Sequence, residues 1–172
     1  AAVPGMRLQS PLKFMSGIGN KTMGFVGGGN EGNNWRTWIS KITYSTATMS
    51  ASPANMAMSG ASPYHQTMAV GSKTIGYFMC GNATDKFVFD TETLTTKGSW
   101  SWGGSTANGN GTSSTTTGYL MQANANSVLT RYPFATESGA SIPGSFSPNR
   151  GRGGAMSSAM FGGAYQASPN NI

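Results

Sequence analysis

Any chemistry in this chain has to come from very few side chains. The acids are Glu31, Asp85, Asp90, Glu92 and Glu137, the only histidine is His65, and the only cysteine is Cys80. Catalysis requires acids, bases, nucleophiles or metal ligands that converge on one point. A Ser-His-Asp triad is open only to His65, and no motif surrounds that residue. One histidine and one cysteine do not make a usual zinc set. The run "GFVGGGN" from Gly24 is not a phosphate loop, because no G-K-[ST] follows and no helix pattern accompanies it. The chain therefore reads as non-enzymatic, with no metal site and no cofactor. Cys80 lies in "IGYFMCG" and reads as a small hydrophobe in the core; a single cysteine excludes an internal disulfide.

Binding chemistry is better represented. Trp35, Arg36 and Trp38 cluster in "NEGNNWRTW", and Trp100 and Trp102 in "KGSWSWGG". Trp and Arg are enriched where interfaces concentrate their energy, and indoles also stack on sugar rings. These five residues are the candidate binding residues. Packing of the same indoles within the fold is the competing reading.

Composition narrows the class. Charged residues are 9% of the 172, against about 25% in ordinary soluble domains. Disorder fits poorly, because 4 Trp, 6 Tyr and 8 Phe are far more than disordered segments carry. The net charge of +6 is scattered from Arg7 to Arg152 rather than gathered in a stripe. "NRGRGG", with Arg150 and Arg152, reads as a polar turn, so no nucleic-acid partner is expected; the basic balance favours an acidic partner surface. No stretch approaches 18 consecutive apolar residues, so no membrane insertion is expected, and the N-terminus lacks a signal-peptide pattern.

The elements that position these residues repeat. "NKTMGFVGGGN" begins at Asn20, "SKTIGYFMCGN" at Ser72, "STTTGYLMQAN" at Ser114, and a weaker "SSAMFGGAY" at Ser157. A second element follows each of the first three: "SKITYSTATM", "DKFVFDTETL" and "TRYPFATESG", with Lys41, Lys86 and Arg131 each 45 positions apart. Alternation in the second element predicts strands with Ile42, Tyr44, Phe87 and Phe89 on one face. The glycine-ended runs predict strands buried on both faces near a crowded axis. Expected strands are Met23–Val26, Ile42–Thr46, Gly76–Met79, Lys86–Phe89, Tyr119–Gln122 and Arg131–Phe134. Expected core residues are Phe25, Tyr77, Phe78, Tyr119, Leu120, Phe87, Phe89 and Phe134. Asp85 and Glu92, which fall in the repeat, read as turn-capping and strand-edge residues.

A unit of about 42 residues with three or four short strands is the scale of a propeller blade. The expected fold is all-β, a small β-propeller-like repeat of about four blades in a single domain over 1–172. Its units run approximately 11–62, 63–104, 105–147, and 148–172 joined to 1–10. Closure by the N-terminal segment is the simplest arrangement; completion by a neighbouring subunit is the rival. The first unit is longer, and its extra loop holds Trp35, Arg36 and Trp38.

The sequence "GYFMCGN" followed by "DKFVFDTET" resembles the kelch-like repeat proteins of bacteriophages, many of them tail components and many from phages of cyanobacteria. The resemblance is carried by Gly76, Tyr77, Phe78, Gly81, Asn82, Asp85, Lys86, Phe87, Phe89, Thr91 and Glu92, and in the first unit by Gly24, Phe25, Gly27, Gly28, Gly29, Lys41, Ile42 and Tyr44. The third unit departs from it with Gln122 and Ala123. The resemblance implies a non-enzymatic virion protein in a tail fibre, tail-associated or capsid-decorating role. Its partners would be other virion proteins, a second copy of itself or a host-surface glycan, and its place the virion, assembled in the host cytoplasm. The alternative is a soluble carbohydrate- or peptide-binding propeller.

Overall fold

The computed structural model describes residues 15–31, 34–56, 68–80, 83–99, 110–121 and 128–145, and these are all-β. Each repeat opens on a turn closed by its first side chain. Asn20 Oδ1 accepts from the backbone N–H groups of Thr22 (2.9 Å) and Met23 (3.1 Å). Ser72 Oγ does the same for Thr74 and Ile75, both at 3.3 Å. Ser114 Oγ does so for Thr116 (3.4 Å) and Thr117 (3.1 Å). Short polar side chains favour such turns because they can stand in for a backbone acceptor.

The strands are β1 Ser16–Gly19, β2 Met23–Gly27, β3 Asn30–Glu31, β4 Asn34–Trp35, β5 Trp38–Thr43, β6 Thr48–Asn55, β7 Met68–Gly71, β8 Ile75–Cys80, β9 Ala83–Val88, β10 Thr93–Ser99, β11 Asn110–Ser113, β12 Thr117–Met121, β13 Val128–Pro133 and β14 Ala140–Ser145. They form three four-stranded antiparallel meanders, β1-β2-β5-β6, β7-β8-β9-β10 and β11-β12-β13-β14. The hairpin β3-β4 is inserted between β2 and β5 and accounts for the extra length of the first unit. Among the described residues there is no helix long and apolar enough to cross a membrane.

The sheets stack face to face, and register decides which residues meet. On the front face of the first sheet, Ile18 lies opposite Phe25 and Phe25 opposite Lys41. The same row recurs as Val70, Tyr77 and Lys86, and as Thr112, Tyr119 and Arg131. On the rear face, Gly24 lies opposite Ile42, Gly76 opposite Phe87, and Gly118 opposite Tyr132. Front row meets rear row. Phe25 packs edge-on against Phe87 (4.6 Å between ring centres) and stacks on Phe89 (5.6 Å). Tyr77 repeats this with Tyr132 (4.9 Å) and Phe134 (5.7 Å). One core therefore fills the space between the first and second sheets and another that between the second and third. The second sheet is covered on both faces, which is why β8 is a continuous apolar run.

Several sequence expectations are corrected. The second-element strands begin and end earlier than expected: Tyr44–Ala47, Phe89–Glu92 and Phe134–Glu137 are turns, not strand ends. Close approach to a neighbouring sheet is borne out for the glycine-bearing strands β8 and β12, where Gly76 and Gly118 receive Ile18 and Val70, but it also involves β1, β7 and β11, which the sequence alone does not predict as strands. Gly28 and Gly29 instead leave the sheet at φ of 69° and 108° to enter the inserted hairpin. Tyr119 is half-buried rather than core, Ile42 is half-buried, and Tyr44 is 43% exposed. The reason is common to all three. They lie on the outward faces of the first and third sheets, where no described sheet covers them.

Two substitutions test this packing. A Cβ on Gly111 would lie 2.2 Å from the Ala69 carbonyl oxygen, whereas one on Gly17 would meet nothing nearer than 3.6 Å. Gly111→Ala is expected to cost about 1–3 kcal/mol or more, and Gly17→Ala to stay within about 0.5 kcal/mol, by urea unfolding. Phe87, fully buried, should lose about 3–5 kcal/mol on truncation to Ala; a loss within error would displace it from the core.

Candidate interaction surfaces

The inserted hairpin holds three of the candidate binding residues. Gly29 accepts a backbone bond from the Arg36 N–H (2.9 Å), and Trp38 accepts one from the Gly28 N–H (3.1 Å), which fixes the hairpin to the sheet. Arg36 is clamped from two sides. Its Nε and Nη2 donate to Glu31 Oε2 at 2.8 and 2.6 Å, and its guanidinium lies 4.8 Å from the centre of the Trp38 ring. Both partners of the ion pair are about a third exposed, so the pair orients Arg36 more than it stabilises the fold. The result is a pre-set cation stacked on a half-buried indole, an arrangement suited to a planar or anionic partner group.

Trp35 sits on β4, beside Asn34 on the same short strand. Its side chain, that of Cys80, and all of Trp100, Trp102, His65, Arg150 and Arg152 lie outside the described residues. The structure thus brings together Glu31, Arg36 and Trp38, of which the sequence reading had not singled out Glu31 as a partner. Among the described residues, no group of three His, Cys, Asp or Glu stands together as a metal set.

A second constellation joins the sheets. Lys41 of the first sheet donates to Glu92 of the second, and Lys86 of the second to Glu137 of the third. Glu137 also receives Lys97 Nζ at 2.7 Å and the Tyr77 hydroxyl at 3.0 Å. These contacts replace the turn-capping role expected of Glu92. Asp85, equally, is buried and accepts from Thr96 Oγ1 at 2.9 Å on the adjacent strand. The pairing was visible in principle, since both ion pairs span 51 positions. Glu92 and Glu137 occupy the fourth residue of the turn at φ of about 50°, a left-handed conformation uncommon outside glycine. Ala47 holds that position in the first sheet, also at φ 50°.

The electrostatics follow from this geometry. Hydrogen bonds from Lys86 and Lys97 hold the Glu137 carboxyl down to about 2, with Tyr77 adding to them and partial burial opposing. Burial pushes Tyr77 up, and its bond to Glu137 pushes it further. Burial beside the Glu137 charge pushes Tyr132 up to about 12.

No family model matches the chain, and no curated protein matches it. Among solved structures, one described as "Structure of YjhT" is similar in fold, with a TM-score of 0.61 and 14% identity over 86% of this chain and 55% of that one. The chain spans about half the length of that protein. The likeness is one of architecture: an all-β chain of three four-stranded antiparallel sheets, consistent with a β-sandwich or propeller-like fold.

The Glu137 cluster makes an acid-stability prediction. The folded state holds this carboxyl below its ordinary 4.5, so as pH falls the unfolded chain takes up the proton first. The stabilisation is complete above about pH 5.5 and is lost as pH falls through the range from 4.5 to about 2. Glu137→Gln should flatten that part of the stability profile and cost about 1–2 kcal/mol at pH 7. An unchanged acid slope in chemical denaturation would remove Glu137 as its source.

Proposed function

We propose that this chain is a non-enzymatic structural and interaction protein of a bacteriophage virion, in a tail-fibre, tail-associated or capsid-decorating role. Its sheets act as blades of a small propeller of about four blades, closed by the N-terminal segment. The observation that carries the non-enzymatic reading is the use made of the acids. All five lie in the described residues, and four hold structure: Glu31 on Arg36, Asp85 on Thr96, Glu92 on Lys41 and Glu137 on Lys86. The fifth, Asp90, sits exposed on a turn. A chain whose carboxylates orient cations and clamp sheets has little left for acid–base chemistry. The virion reading is supported by the phage-type repeat, and by a low-charge, rigid β scaffold of the kind an exposed assembly part requires.

A second reading, a soluble carbohydrate- or peptide-binding propeller, is favoured by the Arg36–Trp38 stack on the inserted hairpin. Immunogold labelling of purified phage particles with antibodies to this chain is expected to mark the tail or capsid. Particles free of it by labelling and mass spectrometry would sink the virion reading. In that case, saturable binding of the purified chain to host-surface polysaccharide, lost in Trp38→Ala, would support the second. His65→Ala should leave the role intact under both.

A further inference from the structure

The inserted hairpin β3-β4 stands outside the stack. Its strands pair with each other and with no other described strand, and Glu31, Arg36 and Trp38 belong to neither core between the sheets. The second sheet does without such a hairpin, since β8 and β9 are joined directly across residues 81–82. Stacking therefore does not require it. Yet it is held in one conformation. Gly28 and Gly29 turn out of the sheet at positive φ, and backbone bonds tie Arg36 to Gly29 and Gly28 to Trp38. Glu31 and Trp38 then fix the guanidinium from two sides. A surface charge pair adds little to stability, whereas a side chain ordered before its partner arrives lowers the entropy cost of binding.

The pair keeps hydrogen-bonding capacity in reserve. A guanidinium has five N–H donors. Nε and Nη2 each give one to Glu31, and both go to the same oxygen, Oε2. Among the described residues the Nη1 donors and Glu31 Oε1 make no hydrogen bond, and both side chains are about a third exposed. Donors and an acceptor thus stand side by side at the surface with no net charge. Two neighbouring hydroxyls of a sugar ring match them, one accepting from Nη1 and the other donating to Oε1. The half-buried Trp38 ring adds an apolar surface for the C–H groups of the same sugar. A carboxylate or phosphate fits less well: Glu31 already holds the Nε edge, and its charge opposes a second anion. We propose that Glu31, Arg36 and Trp38 form a saccharide-binding site that takes a neutral sugar unit through two adjacent hydroxyls. The ligand class rests on the second reading above, as carbohydrate rather than peptide, and is indifferent to whether the chain is part of a virion.

The test passes the full chain over immobilised dextran, mannan and galactan, with alginate, a polymer of uronic acids, as the charged counterpart. Saturable binding to at least one neutral polymer is expected, with Kd in the range of about micromolar to millimolar. It should not change between about 0.05 and 0.5 M NaCl, because no net charge is neutralised. Arg36→Lys keeps the charge but loses the planar fork, and should weaken neutral binding about tenfold. Glu31→Gln should weaken it to a similar degree and raise binding to alginate, now salt-sensitive, because Arg36 is left without its counter-charge. Both residues are partly exposed, so an unchanged melting temperature will show that the variants are folded. Preference of the unaltered chain for alginate, falling with salt, would overturn the neutral class and leave a carbohydrate-binding protein. Neutral binding indifferent to both substitutions would overturn the site alone. No binding to any of these polymers would overturn the proposal and the carbohydrate reading together.

Discussion

The stack is organised around the contact between a branched side chain and a glycine. Ile18 lies over Gly76 and Val70 over Gly118, each so close that a Cβ on the glycine would fall within 3 Å of the aliphatic carbons. Ordinary sheets pack about 10 Å apart because both faces carry side chains. Removing the side chain from one face lets the strands draw together at that edge. There the sheets also bond directly: Asn20 Nδ2 donates to the Lys73 carbonyl, and the Gly71 N–H donates to Ser113 Oγ at 2.9 Å. One strand further out the gap is filled by rings, and beyond them by a lysine reaching a glutamate. The filling grows from one edge of the sheet to the other, so the layer between sheets is a wedge. A wedge repeated between successive sheets is consistent with the propeller-like arrangement proposed above.

This explains what was legible in the sequence and what was not. The Gly-aromatic step and the basic residue of the second element repeat because both take part in every wedge, so aligning units found them. Phe25, Tyr77, Phe87 and Phe134 could be assigned to the core on that basis alone. The strands β1, β7 and β11 were hidden because "SGIG", "MAVG" and "NGTS" share almost no identity. Ile18 and Val70 share one demand, to lie against a glycine of the next sheet, and Thr112 holds the matching register position in the third. Equivalence in sequence also failed to predict burial at the ends of the stack. Tyr44 aligns with Phe89 and Phe134, and Tyr119 with Phe25 and Tyr77, yet burial belongs to the pair of faces and not to the position. Of the candidate binding residues, Arg36 and Trp38 could be found from type and clustering. Glu31, which holds Arg36, could not, because a lone acid in a Gly/Asn-rich loop carries no pattern.

The ion pairs are a different kind of joint from the glycine contact. They sit at the outer part of the wedge, partly exposed, where a charge pair contributes little by itself. Glu137 is the exception because it collects three donors at once. Its site joins the charge to the packing: the Tyr77 ring that stacks on Phe134 also places its hydroxyl on the carboxylate. A displacement of the third sheet would break both together.

The turns that bear Glu92 and Glu137 make the single sheet a poor folding unit. Holding a non-glycine residue at positive φ costs on the order of 1 kcal/mol, and glycine would avoid the cost. Ala47 bears the same cost without a charged partner, whereas Glu92 and Glu137 each meet a lysine of another sheet, a contact that exists only after two sheets have met. A lone second or third meander carries the cost of its turn without the bond that the assembled pair gains. Neighbouring repeats linked in this way fold as a coupled array rather than as beads that come and go separately.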